Sequence, residues 1–150
     1  MERADFKKLS KSLLDIAWIF GPKGLDGVCC QDLGMAEFLA LDGISRIADC
    51  PVYQVGHTLG FTKSGATRVV NRLVSKGYIL KRTAGHDARV CCLAVTERGF
   101  TILFDAYARY ESILEHVFKD LDHKAVDRMK EALLMFASLI VKNSSQEEIS

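Results

Sequence analysis

Gly60-Phe61-Thr62-Lys63-Ser64-Gly65-Ala66-Thr67-Arg68-Val69-Val70-Asn71-Arg72-Leu73-Val74-Ser75-Lys76-Gly77-Tyr78-Ile79 is the stretch on which the fold turns. Gly60 stops a short helix predicted from Tyr53 to Leu59. Thr62 has the hydroxyl that caps a following helix, and Gly77 stands where a helix ends in a left-handed residue, so the spacing predicts a helix from Lys63 to Ser75. Val69, Val70, Leu73 and Val74 make one apolar side of it. Lys63, Ser64, Thr67, Arg68, Asn71 and Arg72 fall on the other. Gly65, near the helix start, allows close backbone approach.

Working outward, Tyr78-Ile79-Leu80 begins a strand, Thr83 to Ala88 is a polar turn, and Val90 to Val95 returns as a second strand. Short helix, tight turn, second helix and charged hairpin, in that order, is a winged helix-turn-helix. The second helix must then offer one polar face to base edges while the other packs on the core. Ser64, Thr67, Arg68 and Asn71 are hydrogen-bonding types suited to groove edges or phosphates. The hairpin tip carries Arg82, His86, Asp87 and Arg89, and an arginine there suits a narrow minor groove.

The flanks are helical. Phe6 to Phe20 repeats apolar residues at three- and four-residue spacing and is broken by Gly21-Pro22. Met35 to Ala48 reads as a second helix, ended by Asp49-Cys50-Pro51. Thr96 caps a long helix to about Phe118, Asp122 caps the last, and Asn143 to Ser150 reads as a frayed polar tail. Trp18, Phe38 and Tyr53 are read as core aromatics. The expected class is mainly α with a small β-hairpin wing and flanking dimerisation helices.

Apolar residues form 49% of the 150 residues and charged residues 26%, which are globular proportions. No apolar run approaches the roughly 20 residues that span a bilayer, so no membrane partner is expected. The start, Met1-Glu2-Arg3-Ala4-Asp5, lacks the apolar core of a signal peptide, and the expected location is cytoplasmic. The net charge of +1 conceals a division. Between Phe61 and Val90, Lys63, Arg68, Arg72, Lys76, Lys81, Arg82 and Arg89 stand against Asp87 alone. The first sixty residues carry about −2 and the last sixty about −3. One basic block in a mildly acidic chain is an electrostatic footprint for phosphates.

The quoted stretch resembles the recognition helix of the multiple-antibiotic-resistance regulator (MarR) family. Asp87-Ala88-Arg89 is similar to that family's wing motif, and Leu93-Ala94-Val95-Thr96-Glu97-Arg98-Gly99 to its strand-to-helix junction. The resemblance covers nearly the whole chain. It implies a single domain over 1–150, with residues 34–98 forming the DNA-binding part and 1–22 and 99–142 the dimerisation helices. It implies a homodimer on a pseudo-palindromic double-stranded operator, with Thr62, Ser64, Thr67, Arg68 and Arg72 contacting DNA, Arg89 in the minor groove and Asp87 shaping the wing. Pro51-Val52-Tyr53 and Gly56 depart from the family pattern at the third helix. Wide apolar stripes on the terminal helices support a dimer independently, since they exceed what one small winged helix can cover.

Five cysteines cluster as Cys29-Cys30, Cys50 and Cys91-Cys92, and a cytosolic setting keeps them reduced. Each can be a small core hydrophobe. Cys91, in phase with Leu93 and Val95, is expected in the core, with Cys92 on the other face. Cys29-Cys30 lies in an irregular segment where a thiolate pair could take a soft metal or metalloid or be oxidised, with Cys50 as the candidate third ligand. No cofactor is required by any other feature. No His has a His or Cys three or four residues on, and no Cys/His arrangement or glycine-rich phosphate loop suggests an enzyme. The expected activity is a repressor released by an effector, either thiol-sensed or a small aromatic compound in an interdomain pocket with the cysteines merely structural.

Overall fold

The computed structural model describes residues 2–21, 32–84 and 87–147, and at 84, 87–90 and 144–147 the backbone alone. In chain order the elements are α1 (Arg3–Phe20), α2 (Met35–Ser45), β1 (Cys50–Pro51), α3 (Val52–Leu59), α4 (Lys63–Ser75), β2 (Ile79–Ala84), β3 (Asp87–Val95), α5 (Glu97–Phe118) and α6 (His123–Glu147). The chain divides into two compact units, Met1–Glu111 and Ser112–Ser150.

In the first unit α4 has the bounds its signals predict. The Thr62 hydroxyl accepts the Gly65 N–H at 3.2 Å. At the other end the Gly77 N–H reaches Val74 O at 2.9 Å and the Tyr78 N–H reaches Leu73 O at 3.0 Å, with Gly77 at φ +74°. That is a Schellman motif, and its apolar contact is between buried Leu73 and Tyr78. Gly60, at φ +60°, ends α3, where the Phe61 N–H returns to Gly56 O at 2.9 Å. A Cβ at Gly56 would lie 3.2 Å from Phe61 O and 3.4 Å from the Ala66 Cβ, so this departure from the family pattern sits in a close contact between α3 and α4.

The core gathers around α4. Leu41, Leu73, Ile79, Leu93, Val70 and Cys50 are its largest fully buried side chains. Phe38 joins them, with its ring edge-on to Tyr107 and Tyr110, and Tyr110 stacks on Phe20 while its hydroxyl donates to Phe20 O at 2.7 Å. Tyr107 donates to Asp42 Oδ1 at 2.7 Å, and Arg46 grips the same carboxylate from both of its oxygens. These contacts fasten the first half of α5 to α2.

The sheet is a three-stranded antiparallel one in the order β1-β3-β2. Its strands run further toward the tip than expected, to Ala84 and from Asp87, with an irregularity between Thr83 and Ala84. Cys91 and Cys92 exchange their expected places: Cys92 is buried and Cys91 exposed. Cys92 is paired on both sides, with Pro51 of β1 and Arg82 of β2, whereas Cys91 lies opposite Thr83 of β2, past the two residues of β1.

Four other expectations are corrected. Helix α2 ends at Ser45 and not Ala48, because the chain tightens through Arg46 and Ile47 and turns at Asp49, φ +50°. Trp18 and Tyr53 are not core but surface residues, 60% and 75% exposed: α1 buries no side chain, and Tyr53 lies on the outer side of the first turn of α3. The supposed polar tail is helical through Glu147. The Gly24 to Leu33 stretch lies largely outside the described residues. The second unit comprises the end of α5 and all of α6, whose start is capped by Asp122 Oδ1 accepting the Ala125 N–H at 2.9 Å.

Candidate nucleic-acid interface

The exposed start of α4 carries the candidate interface. Thr62, Lys63, Ser64, Thr67 and Arg68 line one shallow, open depression. Thr62 is held by its capping bond and lies 3.2 Å from the Ser64 hydroxyl, and Thr67 donates back to Lys63 O at 2.8 Å. The Ser64 and Thr67 hydroxyls keep a lone pair for an outside donor. Lys63 and Arg68 are exposed, and among the described residues their side-chain charges have no hydrogen-bond or ion-pair partner. Asn71 Oδ1 accepts from Lys81 Nζ at 3.0 Å, which ties the wing strand β2 to the outer face of α4. Arg82 is exposed further along β2. His86, and the side chains of Asp87 and Arg89, lie outside the described residues.

Arg72 is placed differently. Its Nε donates to Glu37 Oε1 at 2.6 Å. Lys76 donates to the other oxygen of Glu37, also at 2.6 Å, and to Asp32 O. Glu37 is 4% exposed and also accepts the Gly34 N–H at 3.0 Å, capping α2. Burial pushes this carboxyl up, but Lys76, the Gly34 N–H and Arg72 together outweigh it and hold the group below the usual glutamate range. Tyr78 donates to Asp32 Oδ1 at 2.7 Å and lies under the Arg98 guanidinium, 5.1 Å from the ring centre. Sequence reading missed Glu37, which stands 35 and 39 residues from its partners. The one available signal was its place three residues after Gly34, where a carboxylate caps a helix.

Of the candidate thiols, Cys29 and Cys30 lie outside the described residues. Cys50 is in the core, 1% exposed, and burial pushes its thiol up, away from the thiolate that metals and oxidants require. Among the described residues no three His, Cys, Asp or Glu side chains form a metal-ligand group, and no helix is long and apolar enough to cross a membrane.

Capped reading helix, preceding short helix and three-stranded wing define a winged helix-turn-helix protein. The sequence profile of the MarR family matches residues 31–90. Over 101 residues the chain is 25% identical to the HTH-type transcriptional regulator MhqR of Bacillus subtilis, a match spanning 67% of this chain and 70% of that protein. The fold is shared with a MarR family protein from Bacillus stearothermophilus (TM-score 0.81, 18% identity, 94% of this chain and 99% of that one). It is shared also with Streptococcus pneumoniae FabT, whose structure is a complex with DNA (TM-score 0.77, 20% identity, 94% and 99%). The chain is a winged helix-turn-helix protein, similar to the MarR family over residues 31–90 and sharing the fold of MarR family structures.

Proposed function

We propose that this protein is a homodimeric, sequence-specific DNA-binding transcription regulator, acting as a repressor that an effector releases from a pseudo-palindromic operator. The observation that carries the reading is the exposed row at the start of α4, where Lys63 and Arg68 present charges with no partner among the described residues, beside Ser64 and Thr67. Cations of that kind bind phosphates, and an arginine can take both acceptors of a guanine. The DNA complex of FabT, a protein of the same fold, supports it. Arg82, His86 and Arg89 serve as wing contacts in this reading, with Asp87 holding the wing.

The dimer is supported by apolar surface that a lone chain leaves in water: Phe6, Leu14 and Trp18 on α1, Phe100 and Phe104 on α5, and Leu134, Met135 and Val141 on α6. The dimerisation parts are 1–22 and 99–142, around a DNA-binding part at 34–98. The effector reading rests on the adjacency of Cys29 and Cys30 in the sequence, a pair suited to a soft metal, a metalloid or an oxidant. A ligand set that included Cys50 would have to open the core.

The test is anisotropy titration of the purified protein on a duplex enriched by that protein from a random library. Binding that weakens steeply with salt, with two protomers per site, is the expected result. The same affinity for a scrambled duplex, or a flat salt dependence, overturns the reading.

A further inference from the structure

We propose that Glu37 is a positioning residue for DNA reading, and that Arg72 is its intramolecular anchor and not a phosphate contact. The proposal rests on the function above but assigns Arg72 a different part from the one its place on the helix suggests. A carboxylate at 4% exposure persists in ionised form only when its charge is matched and its lone pairs are filled. Both oxygens of Glu37 are filled, and the donors other than the Gly34 N–H come from Arg72 in the last turn of α4 and Lys76, the residue that caps it.

The placement of Arg72 agrees. It lies nine positions after Lys63, about 13 Å along the helix axis. Reading helices present their first turns to base edges. By helical rotation Arg72 is also turned about 80° from Ser64, toward α2. Lys76, one turn further on, is committed twice, to Glu37 and to Asp32 O. Asp32 in turn accepts from Tyr78 just beyond the helix end. The network thus ties the approach to α2, α2 itself, the end of α4 and the residue before β2 into one charge-matched joint. Its output is the angle at which the row of Ser64, Thr67 and Arg68 is presented. The Arg72 side chain is nonetheless 53% exposed, so its remaining nitrogens face water and its two possible roles must be separated by their effect on counterion release.

The experiment compares Arg68→Gln, Arg72→Gln, Glu37→Gln and the double variant Glu37→Gln/Arg72→Gln, on the enriched duplex and on a scrambled one of equal composition. Arg68→Gln should lower the slope of log affinity against log salt by about one. Arg72→Gln should leave that slope unchanged while discrimination between the two duplexes falls about tenfold, the size of one lost base contact. Glu37→Gln should lose discrimination to a similar degree, with affinity for the scrambled duplex kept or raised as two cations are released. The double variant keeps a neutral hydrogen-bonding pair. It should fold where either single variant does not, and its discrimination should lie above the product of the single losses. A slope lowered by about one in Arg72→Gln or in the double variant, or full discrimination in Glu37→Gln, overturns the proposal. Wild-type protein that prefers neither duplex would instead remove the function on which it rests.

Discussion

Gly99 faces the carbonyl oxygen of Tyr78 so closely that a Cβ on it would stand 2.2 Å from that oxygen and 2.7 Å from Val95 Cγ1. The first turn of α5 is therefore pressed onto the residue just before β2, three past the end of the reading helix. Neither obstacle is the far end of a flexible side chain. Gly99→Ala should cost about 1–3 kcal/mol, the range for overpacked sites, despite the better helix propensity of alanine. Urea unfolding followed by circular dichroism measures it. Unchanged stability would show that α5 can slide outward without loss.

On DNA, Arg68→Ala should weaken operator binding by about 1–3 kcal/mol and relax preference at one base position if it reads that base. Arg89→Ala should weaken binding broadly across sequences with the fold intact, as expected for the wing. Titrations at matched salt, with circular dichroism as the folding control, read both. Wild-type affinity in Arg89→Ala would remove the wing arginine from the interface.

Acid should act through Glu37. Its carboxyl is held below the usual range in the folded chain, so it contributes stability that is complete above the unfolded-state value, about 4.3, and is lost as pH falls through the lower folded value. Glu37→Gln should flatten that part of the stability curve, the gap between wild type and variant being constant near neutrality and closing in acid. Thermal melts across that range decide it, and parallel curves would mean that the ion pairs add nothing.

Thiol accessibility offers a direct check on the wing sheet. In native protein Cys91 should react with a maleimide reagent, while Cys50 and Cys92, both buried, should react only after denaturation. Mass mapping of the labelled peptides tells them apart. In release assays with arsenite, mercuric ion, zinc or peroxide, Cys29→Ser/Cys30→Ser should abolish the response and Cys91→Ser should keep it. Wild-type behaviour of the double variant would favour a small organic effector.

Reading the sequence succeeded where local chemistry dictates local shape. Thr62, Gly60 and Gly77 each act within a few residues of themselves, and the bounds of α4 follow from them. It failed where the deciding partner is distant. The pairing of Cys92 with Pro51, 41 positions earlier, and the ion pair of Arg72 with Glu37, 35 positions earlier, have no local signal. The core status of Trp18 was inferred from residue type, yet α1 has no buried side chain. Proline at position 51 signalled a helix end, but the left-handed turn at Asp49 ends α2 before the proline rule applies.

The Thr96 hydroxyl donates to Gly77 O at 2.7 Å and accepts the Gly99 N–H at 3.0 Å, while the Thr96 N–H reaches Tyr78 O at 3.0 Å. One side chain thus pins the tail of α4, the root of the wing and the head of α5 at a single point. Mechanically this is a direct coupling: a torque on the first turn of α5 reaches the end of α4 through the hydrogen bonds of one residue, without passing along the wing. A displacement of the head of α5 would therefore be felt at the end of α4, beside the joint that Glu37 makes with Arg72 and Lys76.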